Sequence, residues 1–598
     1  MKRSVPLKFL LACFLFGLLA QTSAATSETS EKVLRYVFPE SETGFDPAVS
    51  YDWYSAQVIQ SIFESLYTFD YLARPVRLVP QTAQALPVIT NQGKTYTIAL
   101  KKGIYFSADP AFGGKPRELT ATDYAYSFKR LLDPRIKSPH AWLFEEKIVG
   151  LDELARDAKA SGRFEYDRQI AGLEIVDRYT LRIHLKHADF NFGQILAHFP
   201  SGAVAREVVE RYRNNLGRAD ANPVGTGPYR LAQWRRGSRI VLDANPVYRG
   251  FTWNFQLGSD PEDRRIVAQM SGKRMPQIKR IEINVIAEDQ ARWLSFQNDE
   301  VDLFQLYGPL TERALKGGKL VPELVQKGVQ LSRIADPELG YYYWNMRDPI
   351  VGGLSKDKIA LRRAIAMAYD VKEEIRQVWN GEATPLAFPV PPGVVGHDGD
   401  YQSMIRFDPA AANLLLDRFS YKKGRDGWRT MPDGRPLQIR YSAPTTSLGR
   451  LQAELWKKAF DSIGIRMTAD FRPPAELLTA TKQCQLQMRT ALWSADYPDG
   501  DNFMQIFYGP NIGKSNNGCS RIPEYDALYA RTRNMMEGPE RKALYRKMAR
   551  ILEVNTVQFL GFARYNNMLA QARVIGYKKH PILAAEWMYC DIEQPQKE

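Results

Sequence analysis

From residue 32 onward the apolar positions switch repeatedly between the period of a strand and that of a helix. Residues 32–38 (KVLRYVF) alternate in twos and predict a strand, while residues 53–67 place Val58, Ile62 and Leu66 at helical spacing. Residues 94–107 read as a strand pair broken at Gly103. Thr120 is suited to cap a helix that has Asp123 at its third position, runs through Leu132 and stops at Asp133-Pro134. A polar helix at 151–160, a strand at 178–185, a turn-rich stretch at 222–231 and strands at 239–246 and 278–286 follow, then a helix ending at Asn298-Asp299. The later part predicts an aromatic strand at 340–346, helices at 358–369, 448–462 and 539–552, and a strand at 465–469. There is no internal repeat and no long linker, so the alternation predicts an α/β protein in more than one lobe.

The amino terminus breaks this pattern. Lys2, Arg3 and Lys8 precede an apolar run at 9–20, and Ser23, Ala24 and Ala25 supply small residues, so residues 1–25 read as a secretory signal cleaved near Ala25. Cys13 comes too early in that run for a lipoprotein site. No later run approaches the ~18 apolar residues of a membrane span. The expectation is a soluble exported chain of about 570 residues, long enough for two or three domains.

Charge changes this picture little. The formal charge of +14 falls to +11 without Lys2, Arg3 and Lys8, and the basic residues are interspersed with acids along the chain. That distribution predicts a moderately basic surface and no nucleic-acid partner. Three cysteines remain after cleavage: Cys484, Cys519 and Cys590. An oxidising compartment favours pairing. Cys484 with Cys519 is the preferred bridge, leaving Cys590 as a buried thiol, although spacing alone leaves pairings with Cys590 open.

Catalytic signatures are scarce. The six histidines are scattered, and His184 and His187 fall on opposite faces of a strand. No HExxH, CxxC, P-loop or GxSxG motif occurs, and neither a catalytic residue, a cofactor nor a metal is expected. The most informative segment is residues 493–503, WSADYPDGDNF, which sets Asp496, Asp499 and Asp501 among aromatic rings, with Pro498 and Gly500 in the turn. A partly desolvated carboxylate beside aromatic walls suits an ammonium group, through a charge-assisted hydrogen bond and cation–π contact. Asp499 and Asp501 also have the composition of a glycosidase acid pair, with nothing else in the sequence to support that chemistry.

Seven blocks, in one order, resemble the peptide-binding proteins of bacterial ABC importers, extracellular solute-binding protein family 5. They are SIFESLYTFD (61–70), ELTATDYAYSFKRLLDP (118–134), NPVGTGPYRLAQW (222–234), YYYWNM with ALRRAIAMAYD (341–346 and 360–370), LWKKAFDSIGIRM (455–467), the aspartate segment, and IPEYDALYARTR (522–533). The resemblance implies a two-lobe periplasmic binding protein fold (type II, large peptide-binding class) with an additional small domain. The expected boundaries are 26–75, 190–338 and 566–598 for a discontinuous first lobe, 76–189 for the small domain and 339–565 for the second lobe.

The resemblance also implies that Asp496 holds the α-amine of a bound peptide and that Trp493, Ser494, Ala495 and Tyr497 surround it. Backbone at Phe63, Glu64 and Ser65 is expected to pair with the ligand. Dipeptide-specific members carry an arginine where this chain reads YSAPTTSLG (441–449), with no basic residue, so oligopeptides fit better. Ser494 stands where an oligopeptide-binding relative has a cysteine. The implied partners are a peptide and the ABC permease and ATPase complex of the inner membrane, met by a periplasmic monomer. An oligosaccharide, an opine or haem is the alternative ligand; nickel is disfavoured by the scattered histidines.

Overall fold

The computed structural model describes residues 32–593 apart from Ser259, Tyr307 and Pro309; the signal expected at 1–25 lies outside the described residues. Four sheets of four or five strands organise the chain, the last of them built from short strands. In the first, the strand Val33–Phe38 runs parallel to Arg280–Val285, which continues antiparallel through Arg239–Ala244 to Tyr229–Arg235. In the second, Phe562–Ala570 lies between Leu303–Leu306 and Gln330–Ala335 and also takes Ala383–Pro385. The third has the order Arg466–Arg472, Gln438–Pro444, Met488–Ser494, Glu338–Trp344, Gln558–Leu560. The small sheet is an antiparallel set of Val88–Thr90, Thr95–Ala99, Thr180–His184 and Leu173–Asp177. Among the described residues no helix is long and apolar enough to cross a membrane.

Local chemistry accounts for the boundaries. The Ala121–Leu131 helix opens on a capping box in which Thr120 and Asp123 satisfy each other's end of the first turn. Its Arg130 is buried against Asp46, with nitrogens at 2.9 and 2.7 Å from the two carboxylate oxygens. The first helix, Trp53–Ile62, ends four residues short of Leu66, because the glycine turn at 225–227 takes over the chain there. Gly227 N–H donates to Ile62 O at 2.8 Å, and a Cβ on Gly225 would lie 2.0 Å from that same oxygen. Only glycine allows so close an approach. The strand pair expected at 94–107 is reduced to Thr95–Ala99 and isolated bridges from Leu100 to Ala83 and from Tyr105 to Glu118.

One continuous apolar core fills the first sheet, the small sheet and the helices between them, from Leu34 through Tyr96, Phe128 and Ile183 to Ile283. Two further cores flank the third sheet, one around Trp344, Trp456 and Phe460 and one around Tyr341, Phe503 and Tyr545. The chain crosses between the second and third sheets twice, side by side. Gln330–Ala335 passes through Asp336 and Pro337 into Glu338–Trp344, and Gln558–Leu560 passes through Gly561 into Phe562–Ala570. The crossings are clasped by Glu338, which accepts from Arg564 Nε and Nη2 at 2.7 Å each and from Arg564 N–H at 2.9 Å. Cys484 and Cys519 are joined in a disulfide, Cα atoms 6.1 Å apart, and Cys590 is a buried free thiol.

Candidate functional site

The strand Met488–Ser494 delivers the aspartate segment to the boundary between the lobes. Ala495 N–H donates to Pro337 O at 2.9 Å, which fixes the chain at the first crossing just before Asp496. The turn that follows folds back through Asn502. Asn502 Nδ2–H donates to Asp496 Oδ2 at 2.8 Å, and Asn502 Oδ1 accepts from Asp496 N–H at 3.2 Å and from Trp493 Nε1–H at 3.0 Å. Sequence reading missed Asn502; its signal was an amide six residues after the aspartate, on the first turn of the Asp501–Met504 helix.

The three carboxylates of the segment have different fates. Asp499 is buried and held by Arg541, with nitrogens at 2.8 and 2.5 Å, and Asn191 Nδ2–H reaches it at 3.2 Å from across the lobes. Asp501 is buried and accepts from the Tyr497 hydroxyl at 2.8 Å; burial and the Asp499 charge hold its carboxyl above the usual range. Neither is free to act as a solvent-facing acid or base, which removes the glycosidase pairing. Asp496 is half-buried and has no cationic side chain paired with it among the described residues. Burial pushes its carboxyl up to about 6, against the lowering effect of the Asn502 hydrogen bond. Tyr51, an exposed side chain of the first lobe, has its phenol raised by partial desolvation and then by the charge of Asp496.

The other expected residues divide. Ser494 and Ala495 line a cavity of about 530 Å³ whose walls also include Trp53 and Leu306 of the first lobe and Trp379 and Leu448 of the second. Larger hollows of about 580 and 840 Å³ exist, but one is bounded by residues 369–561 alone and the other by residues 117–210 alone. Trp493 is half-buried against the core of Tyr341 and Phe503 and acts on Asp496 through Asn502. Tyr497 is buried and packs into the core of the first lobe, its hydroxyl given to Asp501.

At Phe63, Glu64 and Ser65 most of the backbone is engaged inside the first lobe. Phe63 N–H donates to Ile59 O, Glu64 O accepts from Ala203 N–H and the Tyr124 hydroxyl, Ser65 N–H donates to Gln81 Oε1, and Ser65 O accepts from the Thr82 hydroxyl. The Glu64 carboxylate is fully buried on Arg249 (2.7 and 2.8 Å) and Thr226 (2.9 Å).

On its far side the Met488–Ser494 strand is joined to Gln438–Pro444 only at Tyr441–Met488 and Ser442–Arg489. Beyond that point residues 490–494 have no strand partner on that side among the described residues, and Leu492 and Ser494 are exposed. The site therefore combines an uncompensated carboxylate, an open strand edge and a two-sided cavity.

Comparison with known proteins agrees with this architecture. The chain is 26% identical over 575 residues to haem-binding protein A of Haemophilus influenzae, covering 94% of this chain and 92% of that one. It is 24% identical over 597 residues to di/tripeptide-binding protein 2 of Pseudomonas aeruginosa, covering 95% and 97%. The structure of the periplasmic binding protein DppA from Helicobacter pylori, in complex with the peptide STSA, shares the fold with a TM-score of 0.69 at 20% identity, over 94% of this chain and 98% of that one. Residues 77–515 match the model of the bacterial extracellular solute-binding proteins, family 5 Middle, and the chain belongs to that family.

Proposed function

We propose that the protein is the substrate-binding component of an ABC importer, that it captures peptides in the cavity between its lobes, and that Asp496 holds their α-ammonium. The observation that carries this reading is the half-buried Asp496 carboxylate, oriented by Asn502 and Trp493 and left without a cation of its own. An ammonium entering there gains a charge-assisted hydrogen bond and relieves the desolvation of the carboxylate. The open edge at 490–494 supports the rest: an extended peptide can add to it as a strand, satisfying its own backbone without readout of its side chains. The absence of a basic residue at 441–449 removes one fixed anchor for a carboxylate and favours oligopeptides over dipeptides.

In this reading the lobes close over the ligand and the closed form meets a permease and ATPase complex in the inner membrane. The protein works as a periplasmic monomer after loss of its signal, with no catalytic step of its own. The haem-binding relative makes haem the sharpest rival. Haem iron is usually held by a side chain such as histidine facing the pocket. His140, on the Tyr51 side, is buried with its Nε2 2.8 Å from Ser50 O, and desolvation pushes the imidazole of its half-buried neighbour His198 down to about 3. Native mass spectrometry of the protein from the periplasm tests the assignment. Co-purifying peptides with free amino termini are the expected result, and a uniform haem or sugar adduct would overturn it.

A further inference from the structure

The cavity that Ser494 and Ala495 line has a carboxylate of its own, Asp336, that forms no ion pair among the described residues. Five charged side chains line it: Asp336, Glu338, Glu382, Arg564 and Lys579. Four of them are spoken for. Glu338 and Arg564 form the clasp between the crossings, Glu382 pairs with Arg333 and accepts from Asn567 Nδ2–H at 2.6 Å, and Lys579 is held by Glu586 at 2.5 Å and Leu583 O at 3.3 Å. Asp336 makes no ion pair among the described residues, although its backbone is fixed by Asp336 N–H to Arg564 O at 2.8 Å. Burial and the neighbouring Glu338 charge raise its carboxyl to about 6, while Lys579, Arg564 and a hydrogen bond from Asn566 act in the other direction. At neutral pH it is an anion on the wall of a cavity whose other charges are internally balanced.

One backbone bond joins its stretch of chain to that of Asp496. Pro337, the residue after Asp336, accepts from Ala495, the residue before Asp496. The residues that carry the two carboxylates thus flank a single backbone hydrogen bond, and the rings of Trp53, Trp379 and Tyr565 line the same cavity wall as Asp336. A long aliphatic stem with a cationic head fits such a wall, stem on the rings and head on the carboxylate.

We propose that Asp336 is a specificity-determining second cation subsite, taking the ammonium or guanidinium of a lysine or arginine side chain close to the amino terminus of the bound peptide. This deepens the peptide reading above and rests on it. The cleft then selects dicationic amino-terminal segments, with the α-ammonium on Asp496 and the side-chain cation on Asp336. An exposed acid would give little discrimination, whereas a desolvated one discriminates by the whole charge-assisted bond.

Calorimetry with Lys-Ala-Ala, Ala-Lys-Ala and their norleucine counterparts tests it in wild type, Asp336→Asn and Asp336→Lys. In the wild type at least one lysine peptide should bind about ten- to a hundredfold more tightly than its norleucine counterpart. Asp336→Asn should abolish that preference while the norleucine peptides keep their affinity, which shows that the variant is folded and its cleft intact. Asp336→Lys should favour Glu-Ala-Ala or Ala-Glu-Ala over the lysine peptides. Equal affinity of lysine and norleucine peptides for the wild type, or a lysine preference that survives in Asp336→Asn, overturns the proposal. Failure of every peptide to bind the wild type overturns the peptide reading, and this one with it.

Discussion

Asn502 holds Asp496 from two directions, its amide N–H on the carboxylate at 2.8 Å and its carbonyl oxygen on the Asp496 backbone N–H at 3.2 Å. The carboxylate is therefore oriented before any ligand arrives, at the expense of leaving an anion half out of water. Asn502→Ala should remove both the orientation and the bond that favours the charged form. Peptide affinity at pH 7 should fall about tenfold, and the Asp496 carboxyl, followed by NMR titration, should move further above 6. Trp493→Phe, which loses only the indole donor to Asn502, should show a smaller change of the same sign.

Affinity should depend on pH in a defined direction. A carboxyl raised to about 6 is protonated below that value and must lose its proton before it pairs with an ammonium. Binding should be strongest between about pH 6.5 and 7.5. It should weaken as pH falls through 6, and weaken again as the peptide α-amine deprotonates near 8. Calorimetry from pH 4.5 to 9 checks this, and Asp496→Asn should flatten the acid limb alone.

The same shift makes a stability prediction. The folded-state pKa lies above the ordinary carboxylate value of 3.8, so the charged form destabilises the ligand-free fold as pH rises from about 4 through 6. Asp496→Asn should raise the ligand-free Tm at pH 7.5, by on the order of 1 kcal/mol in stability, and leave it unchanged at pH 4. A binding residue whose removal stabilises the free protein is the behaviour expected of a group kept for its ligand.

Asp499 should behave in the opposite way. Its charge is compensated by the buried Arg541, so Arg541→Met leaves it buried without a cation. A loss of about 3–5 kcal/mol in urea unfolding is expected. Peptide mapping without reductant should recover the Cys484–Cys519 bridge, and replacing both residues by serine should cost about 2–4 kcal/mol.

Much of the fold was legible because its elements are local. The capping box at Thr120 and Asp123, the alternation of 32–38 and the helices at 448–462 and 539–552 depend on residues near one another in sequence, and each lies within a residue or a few of its expected place. The helix overrun to Leu66 arose because Gly227, more than 150 residues away, takes the Ile62 carbonyl while Gly225 packs against it. At the site, the motif pointed to three aspartates but could not say which one stays unpaired. That depends on Arg541, Asn191 and Tyr497, each placed by tertiary packing. Asp336 was invisible for the same reason, since an aspartate before a proline between two strands is ordinary until Glu338 and Arg564 are seen to pair without it.

The central claim is tested most directly by calorimetry on four combinations: wild type and Asp496→Asn, each with an oligopeptide bearing a free or an acetylated amino terminus. Breaking a desolvated charge pair costs on the order of 2–5 kcal/mol, and asparagine, which keeps one acceptor oxygen, should fall in the lower half of that range. Acetylation should weaken binding to the wild type by a similar amount and add little to the loss in Asp496→Asn, because both changes break one contact. Equal affinity of the wild type for free and acetylated peptides would contradict the account and leave Asp496 with a structural role alone.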